Sequence, residues 1–284
     1  MSAQQTEKQD FQPILVLGGT GKTGRRIAAR LQQLNVPTRI GSRSVTPSFD
    51  WTNVKTWAPA LEGVRAVYIS YTPDLAVPGA TDAIRAFVNA AARQEVRQLV
   101  ILSGRGEAEA QACEHIVQES GIPWTVVRAS WFNQNFSEGA FVDMVNAGVI
   151  ALPAGEVPEP FVDADDIANV VVKALTEKGH ENQVYEVTGR RLMTFADVAR
   201  DISDALGKQI KFLSLSHTDF VQSVRDSGAP DTVVWMMDYL FSTVLDGRNS
   251  SLCDGVQRAL GREPRDFRDF ARQAVKSGIW GDAA

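Results

Sequence analysis

Ile14-Leu15-Val16-Leu17-Gly18-Gly19-Thr20-Gly21-Lys22-Thr23-Gly24-Arg25-Arg26 reads as a buried strand, a glycine-rich turn and the start of a helix. Such a turn calls for glycine because it demands positive φ and because a ligand's phosphates must approach bare backbone. The ending Gly21-Lys22-Thr23 invites comparison with a Walker A loop. That loop needs a glycine five positions earlier, where Val16 stands inside the strand. The dinucleotide spacing is met twice: Gly19, Gly21 and Gly24 give GxGxxG, and Gly18, Gly21 and Gly24 give GxxGxxG. In a strand–turn–helix setting this spacing points to a dinucleotide phosphate loop.

Outward from that loop, apolar strand-like runs alternate with amphipathic stretches. The expected strands are Ile14–Leu17, Thr38–Gly41, Ala66–Ser70, Gln98–Ser103, Trp124–Arg128 and Val184–Thr188. Helical patterns separate them at Arg25–Leu34, Ala80–Arg93, Glu107–Ser120 and Asp165–Leu175. Parallel strands need such crossovers, so the pattern predicts an α/β Rossmann-type doubly wound sheet over 14–188. After Gly189 the character turns mostly helical. Thr194 is expected to cap Phe195–Leu206 and Gly207 to stop it, with a strand at Ile210–Leu215 and helices near Thr218–Arg225 and Asp231–Leu245. Asp266 should cap a last helix. Residues 189–284 are expected to form a small, mostly helical subdomain completing the substrate pocket, and the polar stretch 1–13 a flexible extension.

The bulk numbers narrow the class. With 284 residues, 44% of them hydrophobic, the chain can bury a large core. A net charge of −5 and a pI near 5.3 argue against nucleic-acid binding. No apolar run is long enough to span a bilayer, and the start holds no signal-peptide core. Cys113 and Cys253 stand far apart, which fits a reducing cytoplasm. His115, His180 and His217 have no close ligand spacing, so no metal is expected.

The end of the second strand speaks to the nucleotide. An NAD-binding fold usually places an acid there for the ribose diol. No Asp or Glu occurs from Phe11 to Phe49, whereas Lys22, Arg25, Arg26, Arg30, Arg39 and Arg43 all do. Arginine clamps a 2′-phosphate that an acid would repel, so the segment favours NADP(H), with Arg43 and Ser42 as the contact and Lys22 assisting. Arg25 and Arg26 lie in the first helical turn, where positive charge opposes the macrodipole. Either a bound polyanion or plain exposure to water offsets that cost.

The residues then become recognisable. Leu17–Gly24, Gly41-Ser42-Arg43-Ser44, Phe49-Asp50-Trp51, Trp124–Arg128, Trp131–Phe136 and Pro160–Ala168 together resemble the NmrA-like atypical short-chain dehydrogenase/reductase family. Within it, they and the ending Gly261–Phe267 are similar to the group of ergot-alkaloid festuclavine/agroclavine dehydrogenases and their bacterial relatives. The likeness covers nearly everything after residue 13 and implies a Rossmann core that binds NADP(H). Matched position by position, it implies that Gly18, Gly19, Thr20, Gly21, Lys22, Thr23 and Gly24 hold the pyrophosphate, and Ser42 and Arg43 the 2′-phosphate. Asp50 and Trp51 would flank the adenine, Ser70 and Tyr71 would follow the dinucleotide, and Ser103, Ala129, Trp131 and Phe132 would lie near the nicotinamide. Trp131 and Phe132 fit core packing equally well. Asp163, Asp165 and Asp166 are expected to cap the helix beginning near Asp165.

The departures matter as much. None of Tyr68, Tyr71, Tyr185 and Tyr239 has a lysine four residues on, so the family's Tyr-x-x-x-Lys acid–base pair is missing. Where many relatives carry a basic residue or histidine stands Ala110, and Ala129 replaces a proline after Arg128. The favoured reading is an NADPH-dependent reductase of a small electrophile (an iminium, quinone-like or conjugated acceptor), with Ser103 and Tyr71 as candidate catalytic donors. The alternative is an NADP(H)-binding redox sensor acting through a protein partner. A nucleotide-sugar epimerase would want the Tyr–Lys pair. A serine hydrolase fails because Ile101 takes the first glycine position of Gly-x-Ser-x-Gly.

Overall fold

The computed structural model describes residues 12–139 and 141–281. The extension expected over 1–13 thus lies outside the described residues, apart from its last two. In chain order the elements are β1 (Ile14–Leu17), α1 (Lys22–Gln33), β2 (Thr38–Gly41), α2 (Trp57–Leu61), β3 (Ala66–Ile69), α3 (Ala80–Arg93), β4 (Gln98–Gly104), α4 (Ala108–Gln118) and β5 (Trp124–Ala129). There follow α5 (Asn135–Glu138), α6 (Val142–Asn146), β6 (Val149–Leu152), α7 (Ala164–Thr176), β7 (Gln183–Val187), α8 (Phe195–Leu206) and β8 (Lys211–Ser214). The chain ends with α9 (His217–Asp226), α10 (Asp231–Tyr239), a π turn at Leu240–Val244, α11 (Gly255–Leu260) and α12 (Phe267–Lys276).

These elements form two compact units, each assembled from three chain segments. The first comprises the described part of Met1–Arg128 with Asp165–Glu186 and Gly255–Gly261. The second comprises Ala129–Ala164, Val187–Asp254 and Arg262–Ala284. Ala129–Ala164, which the sequence reading places in the core domain, groups with the second unit.

The first unit is organised by a six-stranded sheet in the order β2-β1-β3-β4-β5-β7. β1 runs parallel to both β2 and β3, and β3 parallel to β4. Every residue of β1 is fully buried, as a strand covered on both faces requires. The strand order reverses between β1 and β3, and ligands of open α/β sheets bind at such a switch point, outside the carboxyl ends of the strands. Ile84 and Phe87 of α3 and Cys113 and Val117 of α4 join Leu15, Val67, Leu99 and Ile101 in one buried cluster.

The second unit has its own core, rich in phenylalanine: Phe136, Phe141, Phe161, Phe195, Phe220, Phe241, Phe267 and Phe270 are all buried there. Thr194 caps α8 in a reciprocal box with Asp197, and Gly207 ends the helix in the left-handed conformation. Asp266 caps α12. The strand expected at Ile210–Leu215 is β8, and it pairs in parallel with β6, an element the sequence reading did not anticipate. The helix expected over Asp231–Leu245 keeps α-helical form only to Tyr239, then widens into the π turn.

Candidate active site

The phosphate-type turn is built by close approach. Gly18 takes a φ of +61°, and a Cβ on it would lie 3.3 Å from the Ser70 Oγ at the end of β3. A Cβ on Gly24 would stand 2.1 Å from the Gly18 carbonyl oxygen, so only glycine lets α1 pack down on the turn. Gly19 meets Ile40 of β2 in the same way, at 2.7 Å. Gly21 is the N-cap of α1 and offers no side-chain cap, and the first turn carries no acid. Gly21 thus makes no side-chain cap bond to the opening amides, which face the direction in which a helix favours anions. The cradle fits a dinucleotide pyrophosphate. Thr20 and Gly21 are exposed and Lys22 half-buried, whereas the Thr23 hydroxyl is committed to the Tyr68 phenol at 2.8 Å.

The surrounding basic residues divide. Arg26 and Arg30 pair with Asp165 of α7 at 3.3 and 2.7 Å. Arg39 donates to the Ala60 and Glu62 carbonyls at the end of α2. The compensating charge for Arg26 is therefore a carboxylate from this chain. Arg43 stays exposed, and its charge helps hold the Asp50 carboxyl below its ordinary range, after the larger effect of two hydrogen bonds from Thr52. Ser42 shares a hydroxyl contact with Ser44 at 3.0 Å.

Asp50 and Trp51 follow in a loop pinned to the sheet. The Trp51 indole donates to the Ser70 carbonyl at 3.1 Å. Its ring lies 4.8 Å from Tyr71 and 5.1 Å from Phe87. The structure thus brings together Gly18, Trp51, Ser70 and Tyr71. Burial, with Cys113 nearby, raises the Tyr71 phenol above its usual range.

On β4, next along the sheet, Ser103 is 4% exposed and its Oγ has no hydrogen-bond partner among the described residues. Beyond it lies Glu107, which sequence reasoning passed over as an ordinary helix start. Glu107 is the N-cap of α4 yet makes no capping bond. Its carboxyl instead lies over Gly104, where a Cβ would meet Oε1 at 2.1 Å, and beside Asp74, which with burial raises it. Nearby, Arg128 at the end of β5 clasps Glu114 with two bonds of 2.9 and 2.5 Å and reaches Glu186 at 2.5 Å. Those partners, Glu114 first, hold the guanidinium charged well above its ordinary range.

The remaining candidates, Ala129, Trp131 and Phe132, belong to the second unit. The Trp131 ring packs against Phe141, Phe195 and Phe241 at 5.3–6.4 Å, a core role with partial exposure. Phe132 bridges to Val162 through its backbone. Beside them Ser130 and the wholly buried Asn133 carry side chains with no hydrogen-bond partner among the described residues. Of the acids expected to cap α7, Asp165 and Asp166 stand in its first turn and Asp163 immediately precedes it. Gln134 accepts from the Ala164 amide and donates to Asp163, which also meets Arg265 at 3.0 Å.

A family model described as NAD(P)H-binding matches residues 18–178. The NAD(P)H azoreductase of Xenophilus azovorans is 31% identical over 91% of this chain and 96% of its own. A festuclavine dehydrogenase of Aspergillus fumigatus is 32% identical over 92% and 97%. Among solved structures, the NADPH-dependent quinone oxidoreductase of Escherichia coli complexed with NADPH superposes with a TM-score of 0.78 at 21% identity, over 92% of this chain and 99% of its own.

Proposed function

This chain belongs to the NAD(P)H-binding family, within its NmrA-like branch of atypical short-chain dehydrogenases/reductases, and from that membership we propose that it is an NADPH-dependent reductase of a small electrophilic acceptor. The observation that carries the reading is the Gly18–Gly24 turn laid against Ser70 where the strand order reverses. An azoreductase among its relatives and a quinone oxidoreductase among its structural neighbours favour an electron-poor, conjugated acceptor.

The cofactor supplies hydride. The chain's own residues bind and orient. The uncapped amides of α1 take the pyrophosphate, Arg43 with Ser42 takes the 2′-phosphate, and Trp51 offers an aromatic face for the adenine. The Ser103 hydroxyl and the Tyr71 phenol then serve as hydrogen-bond donors to the acceptor. With no Tyr-x-x-x-Lys pair, most of the rate enhancement comes from orientation and exclusion of water.

The test is NADPH oxidation by the purified protein with azo, quinone and iminium acceptors. Sustained oxidation is expected, with Ser103→Ala and Tyr71→Phe lowering kcat while NADPH affinity holds. Unchanged turnover in both variants removes those residues from the mechanism. No oxidation with any acceptor, together with unequal affinity for NADP+ and NADPH, would favour the sensor reading instead.

A further inference from the structure

We propose that the Glu107–Asp74 carboxyl pair is the proton source of the reaction, with Glu107 as the acid that protonates a neutral acceptor while it takes up hydride. This rests on the reductase reading above and supplies what the missing tyrosine–lysine pair leaves open. The geometry has four parts. Glu107 and Asp74 come from the loops that follow β4 and β3, neighbouring parallel strands, at the carboxyl edge where ligands bind. The Asp74 carboxyl lies beside that of Glu107, and two carboxyls this close in a buried corner do not both ionise, so one of them holds a proton. Glu107 is only 6% exposed, and its Oε2 has no hydrogen-bond partner among the described residues. The equally buried and unpartnered Ser103 Oγ belongs to the residue immediately before the glycine that Glu107 covers.

Asp74 accepts from the Ala76 amide at 2.8 Å and stays partly exposed. Burial first, then the neighbouring Asp74, then Glu109 push the Glu107 carboxyl up to about 9. The other titratable groups facing this corner are Tyr71, from the loop after β3, and Cys113 of α4, whose thiol is pushed up to about 12. Arg105, the cation on the same loop, pairs with Glu186 at 3.2 Å.

The step balances without another reagent. An azo or quinone acceptor takes hydride and becomes an anion at nitrogen or oxygen. A new N–H or O–H bond then forms as the Glu107 O–H bond breaks, leaving Glu107 as carboxylate. Asp74 acts as the positioning residue, and a solvent proton restores the pair. In sum, acceptor, NADPH and one proton give the two-electron-reduced acceptor and NADP+. A cationic acceptor, such as an iminium, is neutralised by hydride alone and needs no such proton.

That difference supplies the experiment. Glu107→Gln keeps the size of the side chain and offers an amide N–H to Asp74 but carries no acidic proton. The ratio of kcat on a neutral azo or quinone acceptor to kcat on an iminium acceptor should fall about 100-fold, as loss of a general acid implies. In the wild type, kcat on the neutral acceptor should decline as pH rises past about 9, and Asp74→Asn should move that decline to lower pH. An equal fall on both acceptors, or no fall on either, overturns the proposal. Infrared difference spectra read the pair without turnover: a protonated-carboxyl band at neutral pH that Glu107→Gln abolishes is expected, and its absence in the wild type also overturns the proposal. A wild type that shows the band but oxidises NADPH with neither acceptor overturns the reductase reading and, with it, the donor role.

Discussion

Arg39 and Arg43 lie within one short stretch of sequence, yet the structure gives them opposite duties. Arg39 is consumed by two backbone carbonyls, while Arg43 is exposed beside Asp50. A guanidinium–phosphate contact is worth about 1.5–3 kcal/mol. Arg43→Ala should therefore weaken NADPH binding by about 10- to 100-fold and leave NADH binding unchanged, as read by thermal shift with each nucleotide. Equal loss for both nucleotides would assign Arg43 a structural role instead. The sequence exposed the basic excess of this segment because no acid interrupts it. It did not show which arginines were engaged, because their partners arrive from afar: Asp165 meets Arg30 across 135 positions. Glu107 was missed for a related reason, since a glutamate before a helix is unremarkable until Asp74 and Gly104 are seen against it.

The glycine turn and α1 behave as one element. A methyl group on Gly24 would meet backbone at 2.1 Å, whereas one on Gly19 would chiefly meet the Ile40 side chain. Backbone cannot step aside as a side chain can, so Gly24→Ala should cost about 1–3 kcal/mol in urea denaturation, and more than Gly19→Ala. It should also abolish stabilisation by NADPH. A Gly24→Ala protein of wild-type stability would refute the close-packing account. Elements signalled by local chemistry were legible, such as α8, whose Thr194–Asp197 box lies within four residues. β6 was not legible, because four residues of alternating burial gain strand identity only from the distant β8. The start of α7 lies within one residue of its expected place, but the Gln134 bond to the Ala164 amide was not legible, since Gln134 comes from a loop 30 positions away.

At the scale of the molecule, the sequence suggested a boundary at the compositional change near Gly189. The core of the second unit nevertheless draws Phe136, Phe141 and Phe161 together with Phe195, Phe241 and Phe267. A fragment ending at residue 188 would keep the first three rings and lose the others. It should expose that apolar surface, bind a hydrophobic dye and unfold without a sharp transition, whereas the whole chain should gain about 2.7 kcal/mol from NADPH at 100 times its Kd. A monomeric fragment with cooperative unfolding would show that the boundary at 188 is a folding boundary. Nothing local in Ala129–Ala164 announces its allegiance, since its partners lie on the far side of α7 and β7 in sequence. The chain changes unit at 128/129, 164/165, 186/187, 254/255 and 261/262. No single genetic crossover can therefore exchange one unit for a homologue's while leaving the other whole. Exchanging a whole unit takes several coordinated crossovers, one at each of these boundaries.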